Sequence, residues 1–334
     1  MIRVGVIAAM GYAGRELLRL ISAHPEMRLT AAVELEGGRP VAEAMPAFGK
    51  VVDVDLETFD ADALGKKCDV VFLALHGGKG IPLVAALRKT GVRVIDMGPD
   101  FRIKDAALFT KYYGVEHTAT DLLNEAVYGL VPYYRGAMRS AQLVAVPGCY
   151  PISVILPLRP LIPALDRYVV ADSVSGVSGA GRSLHEVFHF AEMNENLRAY
   201  KIGVHQHIPE IEQELENRLT VQFTPHVGPY TRGILSTITA RPVKSIDVAA
   251  AFGRYTEEPF VRVFPEGKLP ELRFVRASNF CDIGWVMDDR TGHLVLVSAI
   301  DNLLGGTAGM ALQCFNVMFG FDERAGLNFG GMAP

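Results

Sequence analysis

The sequence predicts an α/β protein, an open parallel sheet joined to a mixed-sheet α+β domain. Three observations carry that prediction. Short apolar β runs alternate with helical stretches as far as residue 145, longer β runs with few helices follow, and helical spacing returns at 304–319. Strands alternating with helices imply right-handed β-α-β crossovers and a parallel sheet. The economical architecture leaves the first domain near residue 148 and returns near 302, giving domains of 1–148 with 302–334 and of 149–301. A length of 334 residues agrees, at roughly 100–200 residues per domain.

Residues 2–8 form a continuous apolar run, as expected of a strand buried on both faces. Arg3 followed by the run 4–10 imitates a short signal peptide, but the run leads straight into the amphipathic segment 15–21 and reads as a first strand. Gly11 and Gly14 supply a turn, after which Leu17, Leu18, Leu20 and Ile21 repeat at helical spacing. Residues 29–33, 69–75 and 92–95 read as further strands, and 82–89 as a helix that Gly91 can cap. In the second domain, 169–177, 221–225, Ile234–Pro242, 273–277 and His293–Ile300 read as strands. The glycines Gly305, Gly306 and Gly309 let the start of the final helix pack closely.

Composition excludes several classes. A net charge of −4 with no basic block argues against a nucleic-acid groove or a polybasic membrane patch. No apolar run approaches the roughly 20 residues of a membrane span, and 49% hydrophobic residues suffice for a sizeable core. Cys68, Cys149, Cys281 and Cys314 stand far apart without C-x-x-C spacing, which predicts reduced thiols and a cytoplasmic location.

The turn after the first strand has the chemistry of an anion site. Pyrophosphate sits against the first amides of a helix, and glycine is required where backbone approaches phosphate. Gly11 and Gly14 meet that need, with Met10, Tyr12 and Ala13 completing the turn and Ala8 standing at the usual first glycine. This predicts a Rossmann-type dinucleotide domain. Glu34 closes the second strand and Glu36 follows; carboxylates there accept from a ribose 2′-hydroxyl and repel a 2′-phosphate, which favours NAD. Arg39 would counter this by reaching the phosphate.

Cys149 lies in Pro147-Gly148-Cys149-Tyr150-Pro151, so a helix beginning near residue 150 places the thiol at its cap. The partial positive charge there makes thiolate available at neutral pH. Pro157 should kink or end that helix. His205 and His207 precede Pro209 and an evident helix; in an extended segment they would project to one side, with Glu210 able to orient an imidazole for acid–base work. Zinc ligation and a solvated surface are the alternatives. A third zinc ligand would need awkward geometry around Pro209, so no metal is expected. The loop 174–182 offers amides to a cofactor or oxyanion, and Arg102 and Arg232 offer forks for phosphate or carboxylate.

Five segments in one order, PGCYP at 147–151, SGVSGAGR at 175–182, HQHIPEI at 205–211, FTPHVGPYTRGI at 223–234 and DNLLGGTAGMALQCFNVMFGFDE at 301–323, resemble the N-acetyl-gamma-glutamyl-phosphate reductases of arginine biosynthesis, relatives of the aspartate-semialdehyde dehydrogenases. The resemblance implies a second domain for substrate and oligomerisation, a homodimer or homotetramer, and NADPH-dependent reduction of an acyl phosphate to an aldehyde with release of phosphate. It implies Cys149 as nucleophile and His207 as general acid/base with Glu210 behind it. His205, Arg102 and Arg232 would bind substrate; Ser178, Gly179, Gly181 and Asn302 would hold the nicotinamide. The chain departs from the family pattern at Ala8, Met10, Leu35-Glu36, Leu75-His76-Gly77 and Val174. A carrier-linked aminoadipyl-phosphate reductase of lysine biosynthesis and an inactive dinucleotide-binding homologue are the rival readings.

Overall fold

The apolar run at the N-terminus folds as β1 (Ile2–Ile7), whose last four residues are buried. The computed structural model describes residues 1–332. Parallel pairing needs strands that hide both faces, and the short apolar runs satisfy it: β2 (Met27–Val33), β3 (Leu56–Glu57), β4 (Val70–Leu73), β5 (Arg93–Asp96), β6 (Val127–Tyr128) and β7 (Leu143–Ala145). All join one parallel sheet of seven strands in the order β3-β2-β1-β4-β5-β7-β6. The order runs one way from β1 to β3 and the other way from β4, so a topological switch point lies between β1 and β4, the place where open α/β sheets bind ligands. The helix Tyr12–Ala23 buries Leu17, Leu18, Leu20 and Ile21, and Gly80–Lys89 ends with Gly91 at φ +84°. This first unit comprises 1–147 and 307–328.

The second unit spans Gly148–Gly306 and takes in the described residues from Phe329 onward. The return to the first unit thus comes at Thr307 rather than at 302, and the tail departs again at Phe329. Its sheet contains β8 (Leu165–Gly176), β9 (Arg198–Ala199), β10 (Thr220–Gly228), β11 (Ile234–Pro242), β12 (Val261–Val263), β13 (Cys281–Asp288) and β14 (His293–Ile300). The order is β12-β13-β14-β11-β8-β10-β9, with β8–β10 and β12–β13 parallel and the remaining pairs antiparallel.

Two sequence expectations fail here. The strand expected at 273–277 is a helical turn, Leu272–Val275, followed by Ala277 at φ +59°. The true neighbour of β14 is β13, whose pattern is masked by Asp282 and Gly284. Asp282 is buried but receives Arg262 Nε at 2.6 Å, and a Cβ on Gly284 would meet Lys268 O at 2.4 Å. The last helix also begins differently, as a π-helical turn at Leu304–Ala308 before Gly309–Phe319. Among the described residues no helix is long and apolar enough to cross a membrane.

Candidate active site

The first unit provides the dinucleotide turn. Gly11 caps the helix Tyr12–Ala23 in an extended conformation that any residue adopts, whereas Gly14 has no substitute: a Cβ there would lie 2.2 Å from Ala8 O and 2.8 Å from Ala9 O. Ala8 sits at φ +61°, so the position where the fingerprint places its first glycine does take left-handed backbone. The first-turn amides of Tyr12, Ala13 and Gly14 have no carbonyl one turn earlier in the helix, and such amides hold a pyrophosphate. This turn therefore fits a dinucleotide. Glu34 departs from its expected role, because its Oε1 accepts the Met10 amide at 2.6 Å and so braces the turn itself. Glu36 lies in an exposed loop after β2.

Asp100 and Arg102 are buried in the same unit. Asp100 accepts the amides of Gly78 and Gly80 at 2.7 and 2.8 Å. Arg102 donates from Nε to Val146 O at 2.7 Å and from Nη2 to Met97 O at 2.8 Å, so much of its fork braces backbone rather than presenting itself to an anion.

In the second unit, Cys149 is the first residue of the helix Cys149–Leu158, capped by Gly148. It is partly exposed, while Cys68, Cys281 and Cys314 are buried and burial pushes all three thiols up. Gly306 makes room for the nucleophile: a Cβ on it would stand 2.8 Å from Cys149 Cβ. Pro157 ends the α-helix within a residue, as expected: the helix stops at Leu158 and a 3-10 stretch, Arg159–Ala164, follows. Pro157 has no N–H for the Ser153 carbonyl one turn back, and Ser298 Oγ from β14 donates to that oxygen at 2.5 Å instead. Ser153 Oγ meets Ser236 Oγ at 2.7 Å, and Ser236 Oγ meets Ser173 Oγ at 2.7 Å. These buried hydroxyls seat the nucleophile helix on β8, β11 and β14.

His205 and His207 come together through a turn, not the extended segment expected. Gly203 takes φ +73°, His207 caps the helix Ile208–Glu214 with helical angles, and its amide donates to His205 Nδ1 at 3.1 Å. The two rings lie 4.8 Å apart, and Tyr150 faces both at 5.7 and 5.9 Å. His205 is buried among Tyr150, Tyr200 and Phe223. Burial, then the Lys201 charge, lowers its pKa to about 4, so it is neutral at physiological pH and supplies no cation for a substrate anion.

Glu210, wholly buried, accepts the Gly148 amide at 2.8 Å. The carboxylate ties the residue preceding Cys149 to the helix that follows His207. Sequence reasoning placed it only behind an imidazole. Sequence reasoning also missed the two tyrosines. Tyr200 Oη donates to Tyr150 Oη at 3.3 Å, and Tyr150 Oη donates to His226 O at 2.9 Å. Burial pushes the Tyr200 hydroxyl up to about 12 and raises Tyr150 further, and negative charge on Cys149 adds to both shifts. Tyr150 adjoins the cysteine in sequence, but no local signal marked Tyr200.

The loop after β8 is less available than its glycines suggested. The amides of Gly176, Val177 and Ser178 donate to Gly233 O, Tyr230 O and Thr231 O, so those three line neither cofactor nor oxyanion. Gly181 turns the loop at φ +80°, and a Cβ on Gly179 would meet Ser175 Oγ at 2.8 Å. Asn302 locks this loop to the next, donating to Ser178 Oγ at 3.0 Å and accepting Gly233 N at 2.7 Å. Arg232 is forked onto buried Asp301 at 2.8 and 3.0 Å. Among the described residues no group of three or more His, Cys, Asp or Glu is arranged to hold a metal ion.

Both units match known domain families. Residues 3–141 match the NAD-binding domain of semialdehyde dehydrogenases, and residues 149–302 match the dimerisation domain. An N-acetyl-gamma-glutamyl-phosphate reductase of Desulforamulus reducens is 45% identical over 100% of both chains. That of Geobacter sulfurreducens is 44% identical, also over 100% of both. Solved structures share the fold at low identity. An aspartate semialdehyde dehydrogenase of Candida albicans, solved with NADP, has a TM-score of 0.73 at 15% identity, covering 95% of this chain and 98% of its own. A probable aspartate-semialdehyde dehydrogenase of Pseudomonas aeruginosa has a TM-score of 0.71 at 18% identity, with the same coverage. The chain belongs to the N-acetyl-gamma-glutamyl-phosphate reductase family.

Proposed function

We propose that this chain reduces N-acetyl-gamma-glutamyl phosphate to N-acetylglutamate semialdehyde with NADPH, through a thioester on Cys149. The observation that carries this reading is the Glu210 carboxylate on the Gly148 amide, which joins the helix start bearing the thiol to the helix start bearing His207. The helix mouth favours the thiolate. Cys149 Sγ attacks the acyl carbon, the carbon–oxygen bond to phosphate breaks, and phosphate leaves with its electron pair. When bound, the reduced dinucleotide supplies the hydride that takes the thioester to the aldehyde level. His207 donates the proton that the developing oxyanion or departing group requires, and Cys149 leaves as thiolate when the thiohemiacetal collapses. Its neighbour His205 stays neutral and holds the His207 amide.

NADPH is preferred over NADH on two grounds. The Candida albicans fold relative was solved with NADP, and Glu34, whose position favoured NAD, is committed to the Met10 amide. The match to a dimerisation domain supports a homo-oligomer, a homodimer or homotetramer, and the reduced thiols support a cytoplasmic enzyme. The test is reduction of NADP⁺ or NAD⁺ by N-acetylglutamate semialdehyde in the presence of phosphate. Wild type should be active and Cys149→Ser inactive; an inert wild type, or undiminished turnover by the variant, overturns the proposal.

A further inference from the structure

Asp301 follows β14 and is wholly buried. Its Oδ2 accepts Arg232 Nε at 2.8 Å and the Ala277 amide at 2.6 Å. Its Oδ1 accepts Arg232 Nη2 at 3.0 Å and the amides of Leu303 and Leu304, both at 2.9 Å. A buried charge is tolerated only when it is paired and hydrogen-bonded, and this carboxylate draws together the segments around 232, 277 and 303. The carbonyl of the same residue accepts the Gly306 amide at 2.8 Å, a bond that spans five residues and opens the π-helical turn. Turns of this kind are rare and recur at functional sites. This one is wedged between two stretches of backbone. A Cβ on Gly305 would stand 3.1 Å from Asn279 O, and one on Gly306 would stand 2.8 Å from Cys149 Cβ and 3.3 Å from Cys149 Cα.

We propose that Asp301 is a positioning residue for the Cys149 thiol, acting through the turn at 304–306. An α-type bond from Gly306 would end at Asn302 and wind the chain more tightly; the longer bond to Asp301 widens the turn, and the widened turn rests against Cys149. Asn279 O behind Gly305 keeps the turn from backing away. The nucleophile is therefore confined on that side by backbone. Confinement matters because a helix start favours thiolate only while the sulfur stays over its first amides, and the benefit falls off within a turn. The inference rests on the thioester reading above and names the residue that holds the thiol in place. It also gives Arg232, expected to bind substrate, the task of neutralising Asp301.

The test compares wild type with Asp301→Asn and Gly306→Ala by two measurements. The first needs neither substrate nor cofactor: the rate of Cys149 alkylation by iodoacetamide between about pH 6 and 9, followed by peptide mass. Asp301→Asn turns one acceptor into a donor facing backbone N–H groups, so the turn should loosen. Alkylation near pH 7 should slow at least about threefold, and its midpoint should move to higher pH. The second is phosphate-dependent reduction of NADP⁺ by N-acetylglutamate semialdehyde, in which kcat should fall at least about tenfold while KM moves under about threefold. Gly306→Ala crowds Cys149 directly and should reproduce both changes with Asp301 intact. Should circular dichroism find Asp301→Asn unfolded, Asp301→Glu, which keeps both oxygens one methylene further out, carries the same measurements. A folded Asp301 variant with the wild-type alkylation profile overturns the inference, and so does Gly306→Ala with that profile. An inert wild type whose variants still show the expected alkylation profiles overturns the proposed reaction and supports the positioning role.

Discussion

Replacing Gly14 by alanine tests the dinucleotide turn at one atom. The added Cβ would stand 2.2 Å from Ala8 O, where ordinary contact begins at 3.4 Å, so the turn must move by about 1.2 Å. The obstacle is backbone at the end of β1 and cannot swing aside as a side chain does. Overpacking of this kind costs about 1–3 kcal/mol. Alanine returns about 1 kcal/mol over glycine in helix propensity. The net loss is about 0–2 kcal/mol, read as a melting point lower by at most about 6 °C. A displacement near 1 Å at the amides facing the pyrophosphate should weaken NADPH binding by about tenfold to a hundredfold, measured by calorimetry. Gly11→Ala is the matched control: its Cβ would lie 3.4 Å from Ala8 O at φ −69°, so stability should change by under about 0.5 kcal/mol. Ala8→Gly should stabilise slightly, because relief of left-handed strain worth about 1–2 kcal/mol exceeds glycine's entropy cost of about 0.5–1 kcal/mol. Wild-type melting and binding in Gly14→Ala, or equal damage in Gly11→Ala, would refute the reasoning.

Four further outcomes follow from the same geometry. Glu210→Ala strands the buried Gly148 amide and should cost about 1–3 kcal/mol in urea unfolding, with turnover falling more than in Glu210→Gln, which keeps an acceptor oxygen. Iodoacetamide near neutral pH should modify one thiol per chain, identified by peptide mass as Cys149, since burial holds the other three protonated and shielded. His205 is lowered from 6.5 to about 4, so the stability it confers by staying neutral is present above pH 6.5 and drains away as pH falls toward 4. His205→Phe should flatten that acid limb, worth about 3 kcal/mol, in unfolding curves from pH 4 to 7. Asp96 runs the opposite way. Burial, with Asp100 adding, raises it to about 7, and its Oδ2 has no hydrogen-bond partner, so its contribution falls as pH rises from 4 to 7. Asp96→Asn should remove that slope and raise stability at pH 8 by at most about 4 kcal/mol; an unchanged pH profile would count against it.

The buried serines explain a point that the sequence left open. Pro157 sits late in an apolar helix, and an interior proline there reads as a break. The α-helix does stop at Leu158, and three serines on three different strands reach the helix or one another, one of them satisfying the carbonyl that the proline abandons. Nothing near residue 157 announces Ser298, because the two meet only after the sheet has formed.

Covalent and short-range physics alone determined much of this protein. Apolar runs fixed the buried parallel strands, the 3.6-residue period fixed the helix after the turn, and Gly14 was marked because only a missing side chain admits close backbone. Cys149 was legible as a helix-start thiol from the prolines and glycine around it. Tertiary structure decided which groups meet. Glu210 and Gly148 are 62 residues apart, Asn302 and Gly233 are 69 apart, and Ser298 and Ser153 are 145 apart. It also decided that β13, with a buried aspartate and a crowded glycine, is a strand, whereas the more apolar stretch at 272–275 is not. Periodicity reports which face of an element is hidden, over the dozen residues of that element. The partner waiting on the hidden side depends on strand order, which is settled only by how the whole sheet packs.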